Sequence, residues 1–465
     1  MHPSRAIRGR TTRLLEGRHI LLGISGSIAA VEVPKIVREL LRHGAEVRAV
    51  MSPEASRMIT VEAVEFATGH PPIVQLTGNV EHVTFLGPGE GQADLYLVAP
   101  ATANTLSKIA HGIDDTPVTS CASVALGGHL PILLVPAMHG TMGQNPAVLE
   151  SVEKLKGWGV GLLFGASTEG EEKIATPEEV AAAVLHRLGR GPWAGRKVVV
   201  VGGASHEPID AVRAISNDSS GATALALANQ AYYRGADVEL WAGTLRVPVP
   251  SWIPTRRWRS VRELVELAQA HRAVLAQAAA VFVPAALADY TMTPTPGKIA
   301  SRQHPTLRLT LTPAPRVLPR LRQLAPRPTR LVAFKLLAGE PADALEREGR
   351  RLQGETGADW VVANDAETVG AAEASVLVLP RAEPRRWLRG PKAEVAGKLL
   401  DDLGRELADE LGPLGASPGG PGAEVRATRL RSPGTRRGSR RGARGRGGAA
   451  GRTSPRAGRR GASRS

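Results

Sequence analysis

The chain has one cysteine, Cys121, in 465 residues. A single thiol excludes an internal disulfide framework and fits a reducing cytoplasm. Aromatic residues are scarce at 3%, so the 42% of hydrophobic residues must build their cores from Val, Leu, Ile and Ala. Long apolar runs are missing as well. The most apolar late stretch, residues 273–288, contains Gln277 and Pro284 and falls short of the ~20 residues a membrane span needs. At the start, Arg5, Arg8, Arg10 and Arg13 precede an apolar stretch in the outline of a leader. Gly23, Ser25 and Gly26 interrupt that stretch, which reads better as a first strand. A soluble, cytoplasmic protein with no membrane partner is expected.

Acidic residues are nearly absent from one end. Residues 416–465 hold 14 arginines against Glu424 alone, which is thirteen of the net charge of +15. The basic pI therefore describes a tail. Residues 412–465 are Gly, Arg, Ser and Pro with almost nothing to bury, and read as disordered. Two readings of the tail stay open: an arm for nucleic-acid phosphates, or a solvated appendage without a partner. No aromatics interleave its arginines for base stacking, which favours the second.

The length predicts two to three domains. The stretch GRKVVVVGGASHEPIDAVRAISNDSSG, residues 195–221, reads as a buried strand, a Gly-Gly turn, a polar loop and the start of a helix. That is how a nucleotide phosphate site is commonly built, because backbone N–H groups at the helix start face the anion. The chain makes a similar start at residues 18–28, RHILLGISGSI. Two doubly wound, Rossmann-like parallel-sheet domains in tandem are therefore expected. They would span residues 18–190 and 191–411, after a basic segment 1–17 and before the tail. The short linker RLGRGP, residues 187–192, would hold the two sheets close.

In the first half, strands are expected at 20–24, 46–51, 95–99 and 132–135. A helix is expected over 28–43 with a stripe of Ile28, Val31, Ile36, Val37 and Leu40. Ser52 and Pro53 read as a helix start, and Pro100 as a strand breaker. Ligands in such sheets sit beyond the carboxyl ends of the strands. That marks residues 23–27, Ser52, 99–104 and 136–139. The turn lacks a full G-x-G-x-x-G and suits a monophosphate better than a dinucleotide.

GISGSIAA (23–30), VAPATANTLSKIAHG (98–112) and PAMH (136–139), with His82 between them, resemble the flavin-dependent cysteine decarboxylases. The nearest resemblance is to the decarboxylase half of bifunctional phosphopantothenoylcysteine decarboxylase/phosphopantothenate–cysteine ligases. It implies FMN as cofactor. Ser25, Gly26 and Ser52 would hold its phosphate and ribityl chain, and Ala99, Pro100, Thr102 and Asn104 would pass beside the flavin. His82 would be catalytic, since thiol oxidation needs a proton acceptor and histidine titrates near neutrality. Met138 and His139 would bind substrate. The family usually has Asn where His139 stands. The covering loop, GASTEGEEKIAT (165–176), has no cysteine, resembling the version found in archaeal relatives. Lys173 or Glu171 is the candidate proton donor there.

The second half continues the resemblance, to the ligase part. GGASHEPIDAVRAISNDSSG (202–221), AALADY (285–290), PGKIAS (296–301), AFK (333–335) and ANDA (363–366) fall in the family's order. The implied reaction joins 4′-phosphopantothenate to L-cysteine through an acyl-nucleotide made from CTP or ATP with Mg²⁺. Asn217, Arg213 and Lys298 would be catalytic. Gly203, Ala286, Asp289, Lys298 and Phe334 would bind the nucleotide. No metal ligand stands out. The family implies a homo-oligomer. An alternative keeps the ligase active beside a first half that binds without turnover. Strands are expected at 197–201, 238–242, 280–284, 308–312, 331–334, 359–363 and 374–379. Helices are expected at 222–234, 262–276, 342–354 and 391–411.

Overall fold

The computed structural model describes residues 2–411, except 166, 169–170, 173, 301, 303–305, 338, 340 and 366–372. The tail and Lys173 lie outside the described residues. In the first half, five parallel strands form one sheet. They are β1 (His19–Ile24), β2 (Glu46–Met51), β3 (Leu95–Ala101), β4 (Ile132–Pro136) and β5 (Gly161–Leu162), in the order β2-β1-β3-β4-β5. All seven residues of β3 are buried, as expected for a strand covered on both faces. The order turns back between β1 and β3, so the crevice of this sheet opens at their carboxyl ends.

Three local expectations change. Residues Ile28–Glu32 form a 3₁₀ turn, and α1 (Val33–Arg42) starts only afterwards. Ile28 is 74% and Val31 51% exposed, so neither joins the stripe, which Val33, Ile36, Val37, Leu40 and Leu41 make instead. After Ser52 the chain makes one 3₁₀ turn, Ala55–Arg57, and no α-helix. Strand β3 runs through Pro100, with a cis Ala99–Pro100 bond and a register shift against β4. Proline lacks only the N–H, and the Pro100 carbonyl still accepts a hydrogen bond. The helix α2 (Ala103–His111) then starts from a Thr102 cap whose side chain accepts from the Thr105 N–H.

The second half holds an eight-stranded sheet: β6 (Lys197–Gly202), β7 (Asp237–Ala242), β8 (Thr255–Arg257), β9 (Ala280–Val283), β10 (Arg330–Leu337), β11 (Trp360–Asp365), β12 (Glu373–Pro380) and β13 (Arg386–Pro391). Their order is β8-β7-β6-β9-β10-β11-β12-β13. The first six are parallel, while β12 and β13 add on antiparallel. Strand β12 is therefore not the last. Residues 308–312 do not form a strand of this sheet, and only Thr312–Pro313 pairs, with Tyr290–Thr291. The helix expected over 262–276 breaks at His271. The switch point lies between β6 and β9, again at the carboxyl ends.

The linker is packed between elements. Trp193 is 2% exposed, and its indole N–H donates to the Leu400 carbonyl of the closing helix (Lys392–Leu411) at 2.8 Å. Helix α3 (Pro177–Leu188) meets α4 (Ala222–Tyr233), where the His186 ring stacks on Tyr232 at 4.2 Å and its Nδ1–H donates to the Tyr232 carbonyl. Tyr233 packs against the first core. Trp193→Ala should destabilise the second half by about 3–5 kcal/mol, the usual cost of deleting a buried large aromatic. A fall in the denaturant midpoint of that half checks it, and an unchanged midpoint contradicts the packing role.

Candidate functional sites

Each switch point is closed by a buried serine. In the first half the Ser25 hydroxyl donates to the Pro100 carbonyl at 2.8 Å and accepts from the Thr102 N–H at 3.0 Å. The Ser25 N–H also donates to the Pro100 carbonyl, at 3.2 Å. The hydroxyl is thus committed to joining the β1 and β3 loops. Ser52 is buried too. Its N–H donates to the Ile24 carbonyl and its oxygen accepts from the Ala55 N–H. A Cβ on Gly26 would lie 2.4 Å from the Glu54 side chain, so only glycine lets the two loops approach this closely. Ser25, Gly26, Ser52, Ala99, Pro100 and Thr102 therefore converge on one crevice, with Asn104 exposed on the first turn of α2.

His82 sits on a short helix, Glu81–Leu86. Its Nδ1 is shielded from solvent and has no hydrogen-bond partner among the described residues. An orphaned ring nitrogen of this kind is costly unless a ligand meets it. The donor set of the β1, β2 and β3 loops, with the close approach at Gly26, fits a flavin phosphate, and the unmet His82 nitrogen awaits a polar partner. Met138–His139 pairs antiparallel with Glu171–Glu172 of the loop expected to cover substrate. His139 is exposed, and its Nδ1 lies 2.9 Å from the Thr141 hydroxyl. Cys121 is fully buried, and burial pushes its thiol up to about 12, which removes it from the site chemistry.

In the second half Gly203 holds φ +87°, and a Cβ there would lie 2.7 Å from the Thr244 carbonyl. Its carbonyl accepts from the Ala286 N–H at 2.9 Å. Ser205, wholly buried, donates its N–H to the Ala286 carbonyl at 3.1 Å and accepts from the Ala288 N–H at 2.9 Å. Beyond this clamp lies a cavity of about 1040 Å³. Asn217, Ala286, Asp289 and Phe334 line it, as does the start of α4 at Ser219–Ala222. A smaller cleft of about 230 Å³ adjoins it and shares residues Ser216–Ser219. Asn217 thus borders both, with its amide donating to the Leu287 carbonyl at 2.9 Å.

Gly203, Arg213 and Lys298 are outside the lining of the large cavity. Arg213 pairs with Asp210 at 2.7 Å and donates to the Ile299 carbonyl at 3.1 and 3.2 Å. Asp210 also accepts from the N–H groups of Val212, Arg213 and Ile299. These N–H donors and the Arg213 charge hold its carboxyl near 2. The pair therefore latches the loop that carries the exposed Lys298. Sequence reasoning missed Lys335, Lys392 and Asn364, which also line the cavity. The motif AFK ended on Lys335, and that was a usable signal for it. Burial lowers the Lys392 ammonium below its usual range.

The Flavoprotein family matches residues 8–189, and the DNA/pantothenate metabolism flavoprotein C-terminal domain matches residues 193–406. The "Coenzyme A biosynthesis bifunctional protein CoaBC" of Thermococcus kodakarensis is 40% identical over 88% of this chain and 100% of that protein. The chain belongs to the bifunctional coenzyme A biosynthesis family. A relative of the same name from Methanocaldococcus jannaschii is 31% identical over 87% of this chain and 97% of its own. Among solved structures, the "FMN-dependent Cysteine Decarboxylases SpaF" structure is 29% identical over 37% of this chain and 98% of that chain, with a TM-score of 0.32.

In this member of the bifunctional family, Asp210→Ala should free the Lys298 loop. Faster exchange of the Ile299 amide would show it, and unchanged protection would contradict the latch. The depressed carboxyl sets the sign with pH. The latch is complete above the ordinary carboxylate range near 4 and is lost as pH falls toward about 2.

Proposed function

We propose that the second half makes phosphopantothenoylcysteine from 4′-phosphopantothenate, L-cysteine and a nucleoside triphosphate, CTP or ATP. The first half, loaded with FMN, then decarboxylates it to 4′-phosphopantetheine. The decarboxylase and ligase activities follow from membership of the bifunctional family. The division of roles among residues is the proposal. One observation carries it: Asn217 stands between a large cavity and a small cleft at the switch point of the second sheet.

The large cavity takes the nucleotide, with Ala286, Asp289 and Phe334 beside the base and ribose. The substrate carboxylate attacks the α-phosphorus, pyrophosphate leaves, and an acyl-nucleotide results. Asn217 donates to that intermediate. Arg213 serves the second step, and Lys298 neutralises the triphosphate when its loop closes. In the second step the cysteine nitrogen bonds to the acyl carbon and sheds two protons. The acyl C–O bond breaks, and the nucleoside monophosphate leaves with the electron pair. Among the described residues no cluster of three or more His, Cys, Asp or Glu forms a metal cage. Mg²⁺ would ride on the triphosphate oxygens, as that ion prefers.

In the first half, a bound flavin would supply the oxidation of the substrate thiol that makes carboxylate loss possible and would return the two electrons to the decarboxylated product. His82 takes up the thiol proton. His139 and Met138 hold the substrate under the paired strand Glu171–Glu172. Glu171 or Lys173 on that loop is the remaining proton source, and Lys173 lies outside the described residues. The purified protein should be yellow and release CO₂ from phosphopantothenoylcysteine. A colourless protein without CO₂ release would leave the ligase alone. His82→Asn should cut decarboxylation about 10²–10⁴-fold while sparing ligation. Asn217→Asp should do the reverse, by about 10²–10³-fold. Loss of both activities in either variant would contradict two separate sites.

A further inference from the structure

We propose that the small cleft of the second half is the subsite for a zwitterionic amino acid, held between Arg246 and Asp218. This rests on the ligase reading above and assigns the cysteine within it. The cleft, about 230 Å³ against about 1040 Å³ for its neighbour, is lined by Ala204, His206, Thr244, Arg246, Asn217 and Asp218 among others. The smaller space suits the smallest of the three substrates.

The charge pattern makes the selection. Arg246 and Asp218 pair at 2.6 Å, with both side chains more than half exposed. Such an exposed pair contributes little to stability and opens readily. One fixed cation and one fixed anion complement a molecule that carries both an ammonium and a carboxylate. The charges on the other two substrates are all anionic, phosphates and a carboxylate, and Asp218 opposes them. A cysteine placed between the pair turns its carboxylate to Arg246 and its nitrogen to Asp218.

The positions of the two groups are built into the fold. The Arg246 loop follows β7 and is tied to the Gly-Gly turn, since Thr244 and Ala204 exchange both main-chain hydrogen bonds at 2.9 Å. The Arg246 N–H donates to the Ser220 carbonyl at 3.1 Å. His206 is fixed to the Thr244 hydroxyl through Nδ1 at 3.0 Å. On the other side, Asp218 directly follows Asn217, which borders both spaces. A nitrogen held at Asp218 therefore lies next to where the acyl-nucleotide is stabilised.

The test uses the full chain and separates the two ligase steps. Arg246→Ala should raise the KM for L-cysteine about tenfold to hundredfold, the loss expected of one charge-assisted contact. Pyrophosphate release from the triphosphate and 4′-phosphopantothenate in a single turnover without cysteine should be unchanged, which also reports an intact fold. Cysteamine, which lacks the carboxylate, should lose nothing, so the preference for cysteine over cysteamine collapses. Arg246→Lys should restore part of it. Asp218→Asn should weaken cysteine and cysteamine alike. A raised KM for 4′-phosphopantothenate in Arg246→Ala, or a retained preference for cysteine, overturns the assignment. If the unmodified protein releases no pyrophosphate, the ligase reading itself fails, and that result is distinct from either.

Discussion

A buried hydroxyl that must be satisfied ties each crevice together. Ser25 and Ser205 follow the first strand of their sheets, and each reaches the loop after the neighbouring strand. Each donates its N–H to a carbonyl, Pro100 or Ala286, and accepts from the N–H two residues on, Thr102 or Ala288. Removing either oxygen would leave a half-buried N–H without its protein partner, at a cost of about 1 kcal/mol. The two halves thus share a device as well as a switch point beside the first strand of each sheet. The serines are structural in their own contacts, and what they arrange is the backbone of each crevice.

This alters how the motif residues divide their labour. Ser25 has no hydroxyl left over for a flavin phosphate, while His82 keeps a ring nitrogen unmet among the described residues. Arg213 holds the Ile299 carbonyl and Asp210, which makes the approach of Lys298 a property of the loop. The helix α4 connects these matters across the molecule. It starts at the large cavity and ends at Tyr232 and Tyr233, where His186 and the first core receive it.

Much of this was legible in the sequence where the signal is local. Strands β3, β4, β6 and β9 follow apolar runs that end at or beside glycine or proline, and the two Gly-rich turns mark the switch points. Local periodicity misled at Ile28 and Val31, because a 3₁₀ turn before Val33 shifts the helix register and leaves both exposed. Helices starting at Thr116-Pro117, Asn145-Pro146 and Thr176-Pro177 carried a cap followed by proline, a sign that was available and not used. The edge strand β13 alternates half-buried with exposed residues and begins among arginines, so it carries no apolar signature. Arg213 with Ile299 and Trp193 with Leu400 join residues far apart in the chain. Pairings of that reach belong to the assembled sheet and have no local trace.

The burial of Cys121 has a chemical consequence. Cysteine, phosphopantothenoylcysteine and 4′-phosphopantetheine are thiols, and thiols exchange into disulfides through an accessible thiolate. The chain's one sulfhydryl lies inside the cluster of Tyr96, Val118 and Ala122 in the first half, with its pKa raised to about 12. A member of this bifunctional family, which handles cysteine and its derivatives, therefore offers them no accessible thiol of its own to couple with. Its turnover is insulated from mixed-disulfide poisoning by the same packing that closes the sheet.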